Sequence, residues 1–468
     1  MLTKDALLFD LLAKGCLRQE QLKKSILVSY TREFDSFDAI DIFHIGEKWN
    51  REQRLFWSDP DGIERVGLGY VLRLTAAGEN RVSSIAEQKK KLFNDAIIEK
   101  WDQGLSGGPL LFGGFSFDPD NQKTSLKWHS FGDATFVLPE ILLTRTKENK
   151  SLLTINCLMT KDKKPYEEYK RLYEQIQHLK RPQRKLASLL EEDEWTSTEE
   201  HLDEWMISVK KAIDMIQSGT MQKIVLSRTM RVDRKVPYDI EAILKALVEH
   251  QASHYVFAFT MGESTFLGAS PERLVKKQGT DIRSMCLAGT TTRGKTEEED
   301  KEKAELLLRD QKNLQEHQWV VNMISQVLSS FCQSLVVPQS PSILKAGQVQ
   351  HLCTPISGKL KEDKTILELV QALHPTPALG GYPQKEALQW IRELEVSDRG
   401  WYGSPVGWMD EHDDGEYIVA IRSCLIKNST ALLFAGCGLV SDSTVTEELK
   451  ETRAKFKPIF SALGGLYD

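Results

Sequence analysis

Two glutamates and a lysine near the end of the chain have a spacing that could hold a cation or an anion. Glu448, Glu451 and Lys455 lie at i, i+3 and i+7, so that in a helix all three project from one face. Glu447 and Glu451 are like charges at i,i+4, an arrangement that is mildly destabilising without a cation. An ordinary ion pair between Glu451 and Lys455 on a solvated face explains the same pattern, and in isolation it is the favoured interpretation.

A second polar cluster interrupts an apolar helical pattern. Periodicity predicts one long helix over 298–329, whose buried stripe would run through Leu306, Val320, Ile324 and Val327. Polar side chains on a core-facing stripe are costly unless they are paired or bind a metal. A helix whose middle passes through solvent explains the pattern about equally well. The polar residues of the stripe are Asp310, Asn313, Glu316 and His317.

Carboxylates on two separate helices suit a hard divalent cation. Mg²⁺ takes one or two protein carboxylates and otherwise keeps water or substrate oxygens. Glu316 and Glu451 would provide such a site if the fold brings them together. Zinc is not expected, because His317, His351 and His374 match no compact zinc signature.

Two further residues could transfer protons. Lys223 stands near the start of an alternating segment in which Ile224 and Leu226 point to the opposite face. In a cleft, desolvation would lower the pKa of such a lysine and let it act as a base, whereas most strand lysines are solvated edge residues. Glu272 follows a proline and could be a turn acid or a catalytic acid. Gly436 and Gly438 could let backbone amides approach a carboxylate, or could form a bulge.

Several elements must position these side chains. Residues 202–216 follow helical spacing and end at Gly219, and 223–232 alternate as a strand. Strands are expected at 416–426 and 431–440, and Thr444 begins the final helix with capping-box spacing. The elements do not alternate as βαβ units. We therefore expect an α+β fold with large, mostly antiparallel sheets packed as a sandwich with flanking helices.

Composition excludes several classes of protein. The 468 residues are 41% hydrophobic and 27% charged, with a net charge of −6, so no general attraction to nucleic acid or membrane is expected. Seven scattered cysteines, and charges where a signal core would lie, indicate a cytoplasmic chain with reduced thiols. The acidic segment 191–200 is the expected seam between a variable half, 1–195, and a catalytic region, 196–468, of the same fold.

Eight ordered blocks of the second half resemble the chorismate-utilising enzymes, which include isochorismate, anthranilate, aminodeoxychorismate and salicylate synthases. The similarity extends weakly into the first half through FGGFSFD. The blocks are KIVLSR (223–228), SPERL (270–274), LAGTTTRG (287–294), DQKNLQEH (310–317), HLCTPISGKL (351–360), RGWYGSPVGW (399–408), AIRSCLI (420–426) and AGCGLVSDSTVTEELKETRAK (435–455).

Within this family the chain looks most like the isochorismate synthases, and more like the menaquinone type than the siderophore type. The segment LHPTPALGGYP (373–383) has their form, and they carry a lysine at the position of Lys223. The anthranilate enzymes usually lack that lysine. Their Leu-Leu-Glu-Ser feedback motif does not occur in this sequence.

The resemblance implies an isomerase that converts chorismate to isochorismate with Mg²⁺. Water would attack ring carbon 2 while the carbon-4 hydroxyl leaves, which requires a base and an acid on opposite sides of the ring. By their match to the family, Lys223 would be the base and Glu272 the acid. Glu316 and Glu451 would hold Mg²⁺, with Glu448 acting through a water. The substrate-binding residues implied are Gly289, Thr290, His351, Ala378, Leu379, Tyr402, Arg422, Gly436, Gly438 and Lys455.

Three alternatives remain open from the sequence. A salicylate synthase shares the lysine, although Ala378 stands where those enzymes often have threonine. An anthranilate-type enzyme would need ammonia or a glutaminase partner, and no glutaminase subunit is expected here. A catalytically silent chorismate-binding subunit would lack some acid, base or metal position, whereas all are present.

Overall fold

The computed structural model describes residues 6–50, 52–100, 107–121, 126–180, 194–346 and 349–465. Within these ranges the chain forms eleven α-helices and 21 strands. The helices are α1 (Ala6–Leu22), α2 (Ala39–Asn50), α3 (Arg81–Phe93), α4 (Pro165–Leu179), α5 (Leu202–Gln217), α6 (Ile240–His250), α7 (Glu297–Leu307), α8 (Gln311–Phe331), α9 (Ile366–Leu373), α10 (Gln384–Leu394) and α11 (Val445–Ala462).

The strands are distributed over both halves of the chain. They are β1 (Ile26–Glu33), β2 (Gln53–Ser58), β3 (Glu64–Ala76), β4 (Ile97–Glu99), β5 (Leu111–Phe115), β6 (Ala134–Arg145), β7 (Ser151–Met159), β8 (Trp195–Glu200), β9 (Lys223–Arg234), β10 (Tyr255–Met261), β11 (Ser264–Ser270), β12 (Arg273–Gln278), β13 (Asp281–Thr292), β14 (Cys332–Val336), β15 (Ser342–Ala346), β16 (Val349–Leu360), β17 (Gly381–Tyr382), β18 (Pro405–Met409), β19 (Gly415–Val419), β20 (Ser423–Lys427) and β21 (Thr430–Leu439).

The strands form a continuous, mostly antiparallel network that doubles back on itself. Pairings run from β13 through β12, β19, β18 and β5 to β6, and from β6 through β3, β2, β10, β11, β20 and β21 to β9. Aromatic side chains from both arms, such as Trp57 and Phe257 on one and Phe112 and Trp408 on the other, share one buried core. The network is therefore a sandwich of two sheet layers, and the expected α+β class is confirmed.

Helices cover both outer faces of the sandwich. Apolar residues of α1, α2, α4, α6 and α11 pack on one face, and those of α3, α5, α8, α9 and α10 pack on the other. The strand β9 contributes to both helical layers in turn, since Ile224 and Leu226 near its start belong to the core under α5 and α10, while Met230 and Val232 near its end belong to the opposite helical layer. The first and second halves of the chain share the sheets, because β2 pairs with β10 and β5 with β18.

The structure divides two elements that the sequence predicts as continuous, the helix over 298–329 and the strand over 416–426. It also contains a strand within the predicted seam at 191–200. The single helix over 298–329 is wrong, because α7 ends at Leu307 and Asp310 caps the separate helix α8 by accepting the Asn313 amide. Leu306 is consequently exposed. The strand over 416–426 breaks between β19 and β20, where Arg422 has a φ of +50°. In the expected seam, residues 194–200 contain β8, which pairs with β9, and 191–193 lie outside the described residues.

Two observations bear on the environment of the chain. No helix in the described part of the chain is long and apolar enough to cross a membrane. All seven cysteines are free thiols, and six of them are buried.

Candidate active site

Glycines on β21 make room for Lys223 at the start of β9. Lys223 is 5% exposed, and its side chain lies over Gly438, where an added Cβ would stand 3.0 Å from the lysine Cε. Pairing of β20 with β21 ends at Phe434, so the backbone edge around Gly436 and Gly438 faces the site rather than a strand. The predicted alternation of β9 is confirmed and places the lysine inside a cleft.

Glu316 meets this lysine from α8. The Glu316 carboxylate accepts from Lys223 Nζ at 2.7 Å. The neighbouring His317 is buried and anchors the helix, because its Nδ1 donates to the Ala288 carbonyl at 3.1 Å and its Nε2 accepts from the Thr354 hydroxyl at 2.8 Å. His317 thus orients Glu316, a role that the sequence alone did not reveal.

Glu272 is buried in the turn between β11 and β12. Its amide donates to the Ser270 hydroxyl at 3.2 Å, and its carbonyl accepts from the Val419 amide at 3.0 Å, so the backbone holds the carboxyl in place. Burial raises the pKa of Glu272 to about 7, while the positive charge of Lys223 opposes this rise. The two predicted proton-transfer groups therefore share one site, and Glu272 holds its proton at near-neutral pH.

The charged face of α11 closes another side of the site. Glu448 is buried and accepts from the Ser443 hydroxyl at 2.7 Å, but its Oε2 has no hydrogen-bond partner. Burial raises the pKa of Glu448, and the nearby Glu451 charge adds to the effect. The ordinary Glu451–Lys455 pair is present at 2.6 Å. Lys455 also donates to the Gly436 carbonyl at 2.7 Å, so the lysine end of this ion pair reaches the site while the Glu451 side chain is 48% exposed.

The three predicted metal ligands lie on two helix starts that approach each other. Lys312 of α8 pairs with Asp442, just before α11, at 3.5 Å. The unpartnered Oε2 of Glu448 and its raised pKa are the features expected of a carboxylate that a cation would complete. The residue types therefore fit a divalent cation, whereas the three carboxylates do not all lie within 4.8 Å of one another. Within the described residues, the one group of three ligand atoms within 4.8 Å of one another is elsewhere, at His44, Glu47 and Glu241.

Arg422 and Tyr402 form a positive and polar wall next to α11. The Arg422 guanidinium donates to the Lys455 carbonyl at 3.4 Å, and burial lowers its pKa. The Tyr402 ring stacks on Phe434 with centroids 5.2 Å apart. Its hydroxyl lies 3.2 Å from the position that a Cβ on Gly436 would take. Arg422, Lys455 and the Tyr402 hydroxyl thus converge where a carboxylate could bind.

The strands β13 and β16 provide the opposite wall. Thr290 and His351 are paired in register, and the Thr290 hydroxyl lies 2.8 Å from His351 Nδ1. Burial lowers the pKa of His351 to about 3, and the positive charge of Arg422 adds to this, so the imidazole is neutral. Gly289 has a φ of +78°, and a Cβ there would stand 3.1 Å from Asn313 Oδ1, which leaves glycine as the fitting residue.

The segment with Ala378 and Leu379 lies against the start of β9. The Val225 amide donates to the Gly380 carbonyl at 2.9 Å, and the short strand β17 pairs Tyr382 with Lys223. The predicted ring-binding loop is therefore next to the predicted base.

The structure adds residues that the sequence did not single out. His254 is buried close to Arg422 and His351. Burial lowers the pKa of His254 to about 4. Glu395 and Arg399 form a buried ion pair behind Lys223. Their i,i+4 spacing at the RGWYGSPVGW block is the one signal that could have found this pair.

Comparison with known proteins shows the family of the chain. The family model described as "Chorismate binding enzyme" matches residues 11–464. The chain belongs to this family. It is 40% identical over 460 residues to the isochorismate synthase MenF of Bacillus subtilis, covering 96% of each chain. It is 35% identical to a salicylate biosynthesis isochorismate synthase of Pseudomonas aeruginosa, over 96% of this chain and 93% of that protein.

The fold is shared with a solved structure. The menaquinone-specific isochorismate synthase MenF of Escherichia coli superposes with a TM-score of 0.77 over 97% of this chain and 100% of that chain, at 23% identity. The similarity extends through both halves of the chain and therefore includes the strands contributed by the first 195 residues.

Proposed function

We propose that this chain is an isochorismate synthase, an isomerase that converts chorismate to isochorismate. The observation that carries the proposal is the buried pair of Lys223 and Glu272, an amine and a carboxyl whose pKa is about 7, in one cleft. The 40% identity to the Bacillus subtilis isochorismate synthase over nearly the full length supports it.

Each proton-transfer group has a defined task. Lys223 takes a proton from the water that attacks ring carbon 2. The carbon 1–carbon 2 double bond then moves to carbons 1 and 6, and the carbon 5–carbon 6 double bond moves to carbons 4 and 5. Glu272 gives its proton to the hydroxyl that leaves carbon 4, so one water is consumed and one is released. The carboxyl must start protonated, and burial favours this by raising its pKa to about 7. The amine is buried in the cleft and is held in place by the Glu316 carboxylate, to which it donates at 2.7 Å.

The remaining groups hold the substrate. Arg422, Lys455 and Tyr402 bind the enolpyruvyl carboxylate, together with amides near Gly436 and Gly438. Support comes from the convergence of these donors on one edge of β21. Gly289, Thr290, His351, Ala378 and Leu379 line the ring, because they lie on β13, on β16 and on the segment 373–383, which flank Lys223 and Arg422.

We further propose Mg²⁺ as the metal. Glu316 and Glu451 would bind it, and Glu448 would act through a water, since hard carboxylate oxygens are the ligands that Mg²⁺ prefers. When bound, the ion would neutralise the ring carboxylate of chorismate. The unpartnered Glu448 oxygen supports this assignment.

The setting of the enzyme is also a proposal. We place it in the cytoplasm, where the seven free cysteines would stay reduced, and in menaquinone biosynthesis. Salicylate biosynthesis is the alternative pathway, because the Pseudomonas aeruginosa relative, a salicylate biosynthesis isochorismate synthase, matches as much of the chain. Residues 1–195 would complete the sandwich, and 196–468 would carry the chemistry.

Incubation with chorismate and Mg²⁺, followed by mass and NMR identification of the product, tests the function. Isochorismate as the sole product is expected, with or without ammonium salts. Salicylate with pyruvate, or an aminated product in the presence of ammonium, would contradict the proposal. The proposal would also be contradicted if folded, full-length protein formed no product from chorismate.

A further inference from the structure

Arg399 and Glu395 form a buried ion pair directly behind the cleft. The side chains are 2% and 5% exposed, and the Arg399 Nε donates to Glu395 Oε2 at 2.9 Å while its NH2 group donates to Oε1 at 2.5 Å. Arg399 also lies over the Phe117 ring at 4.1 Å from its centroid. Burying such a pair costs several kcal/mol per ion unless the remaining donors and acceptors are satisfied.

The remaining donors of Arg399 hold two walls of the site. Its NH1 group donates to the Leu379 carbonyl at 2.8 Å, and its NH2 group donates to the Val225 carbonyl at 2.7 Å. The Glu395 carboxylate accepts from the Ser227 amide at 2.6 Å. One rigid guanidinium therefore fixes the distance between the loop with Leu379 and the strand that begins at Lys223.

We propose that Arg399 is a positioning residue for catalysis, which holds the ring-binding loop in register with Lys223. The inference rests on the proposed function, since it assigns Lys223 as the base. A planar fork with five donors can satisfy Glu395, Leu379 and Val225 at once, whereas a lysine ammonium cannot. A misplacement of about 1 Å in a reacting geometry can cost on the order of 100-fold in rate.

A matched buried pair elsewhere provides the control. Arg54 is 3% exposed, donates to Glu241 at 2.6 Å and to the Phe43 carbonyl at 3.0 Å, and lies over the Phe43 ring. It joins β2 to α2 and α6 and touches none of the proposed site residues. Arg399→Lys and Arg54→Lys should therefore lower the thermal stability to a similar degree.

The two variants should differ in turnover of chorismate. Well below the melting temperature, Arg399→Lys should lower kcat roughly 10- to 100-fold. Its KM should change less than about threefold, because the carboxylate-binding Arg422 and Lys455 are held by other elements. Arg54→Lys should keep the wild-type kcat. If Arg399→Lys does not fold, Glu395→Gln, which keeps an acceptor for the Ser227 amide, should show the same direction of change.

A double-mutant cycle separates positioning from general damage. If Arg399 acts through Lys223, adding Arg399→Lys to Lys223→Ala should lower kcat less than about twofold further. The inference would be overturned if Arg399→Lys had the same kcat as wild type. It would also be overturned if Arg399→Lys lowered kcat as much in the Lys223→Ala background as in wild type. Either result would leave the proposed function standing. Failure of the wild-type enzyme to convert chorismate would instead overturn the proposed function and this inference with it.

Discussion

Glu272→Gln should inactivate the enzyme and stabilise it in a pH-dependent way. The folded carboxyl has a pKa of about 7 against an ordinary value of 4.5, so the folded state binds its proton more tightly than the unfolded state does. The favourable contribution of Glu272 to the free energy of unfolding is fully present below about pH 4.5, and it is lost as the pH rises through about 7. Glutamine carries no such proton, so the free energy of unfolding of the variant should exceed that of wild type by on the order of 3 kcal/mol at pH 8.

Urea unfolding of both proteins from pH 4 to pH 8 measures this difference. The excess in free energy of unfolding of Glu272→Gln over wild type should be near zero at pH 4 and should level off above pH 7. Glu263→Gln is the control, because that side chain is 64% exposed on the neighbouring hairpin and should give no such trend. The wild-type kcat/KM should fall above about pH 7, and Glu272→Gln should lower kcat roughly 10²–10⁴-fold. A stability difference that does not vary with pH would refute the assignment of Glu272 as a protonated acid.

Three further substitutions test the other roles. Lys223→Ala should lower kcat roughly 10²–10⁴-fold while chorismate and Mg²⁺ still bind, as calorimetry can check; a defect confined to chorismate affinity would make the lysine a binding residue. Glu451→Gln should abolish activity without unfolding the chain and should weaken Mg²⁺ binding, and full wild-type activity in excess chelator would refute the metal assignment. Arg422→Ala should raise KM as well as lower kcat, and an unchanged KM in steady-state assays would remove it from the carboxylate site.

Local patterns predicted the elements that carry the site. The alternation of β9 places Lys223 opposite Ile224 and Leu226, and the side chain of Thr444 caps α11 as its spacing predicts. The break before α8 was missed, although Asp310 is a favourable capping residue, because the periodicity of the flanking segments continues across it. The prediction of a single helix failed because the spacing of apolar residues does not distinguish one long helix from two consecutive helices.

The site itself depends on contacts that sequence spacing does not encode. Glu316 and Lys223 are 93 residues apart, and only the folded sheet brings them to 2.7 Å. For Glu451 and Lys455, the ordinary ion pair is present, and Lys455 also donates to the Gly436 carbonyl at the proposed site. His317 and Arg399 each make some of their contacts to backbone carbonyls, which carry no residue-type signal.

Turnover in ¹⁸O-labelled water tests the central claim most directly. If Lys223 activates a water that attacks carbon 2 while Glu272 releases the carbon-4 hydroxyl, the isochorismate formed should carry one ¹⁸O atom, located at carbon 2 by mass spectrometry and NMR. Lys223→Ala should slow the appearance of label and of product equally. Isochorismate without label would mean that the hydroxyl migrates within the substrate, and it would contradict the account.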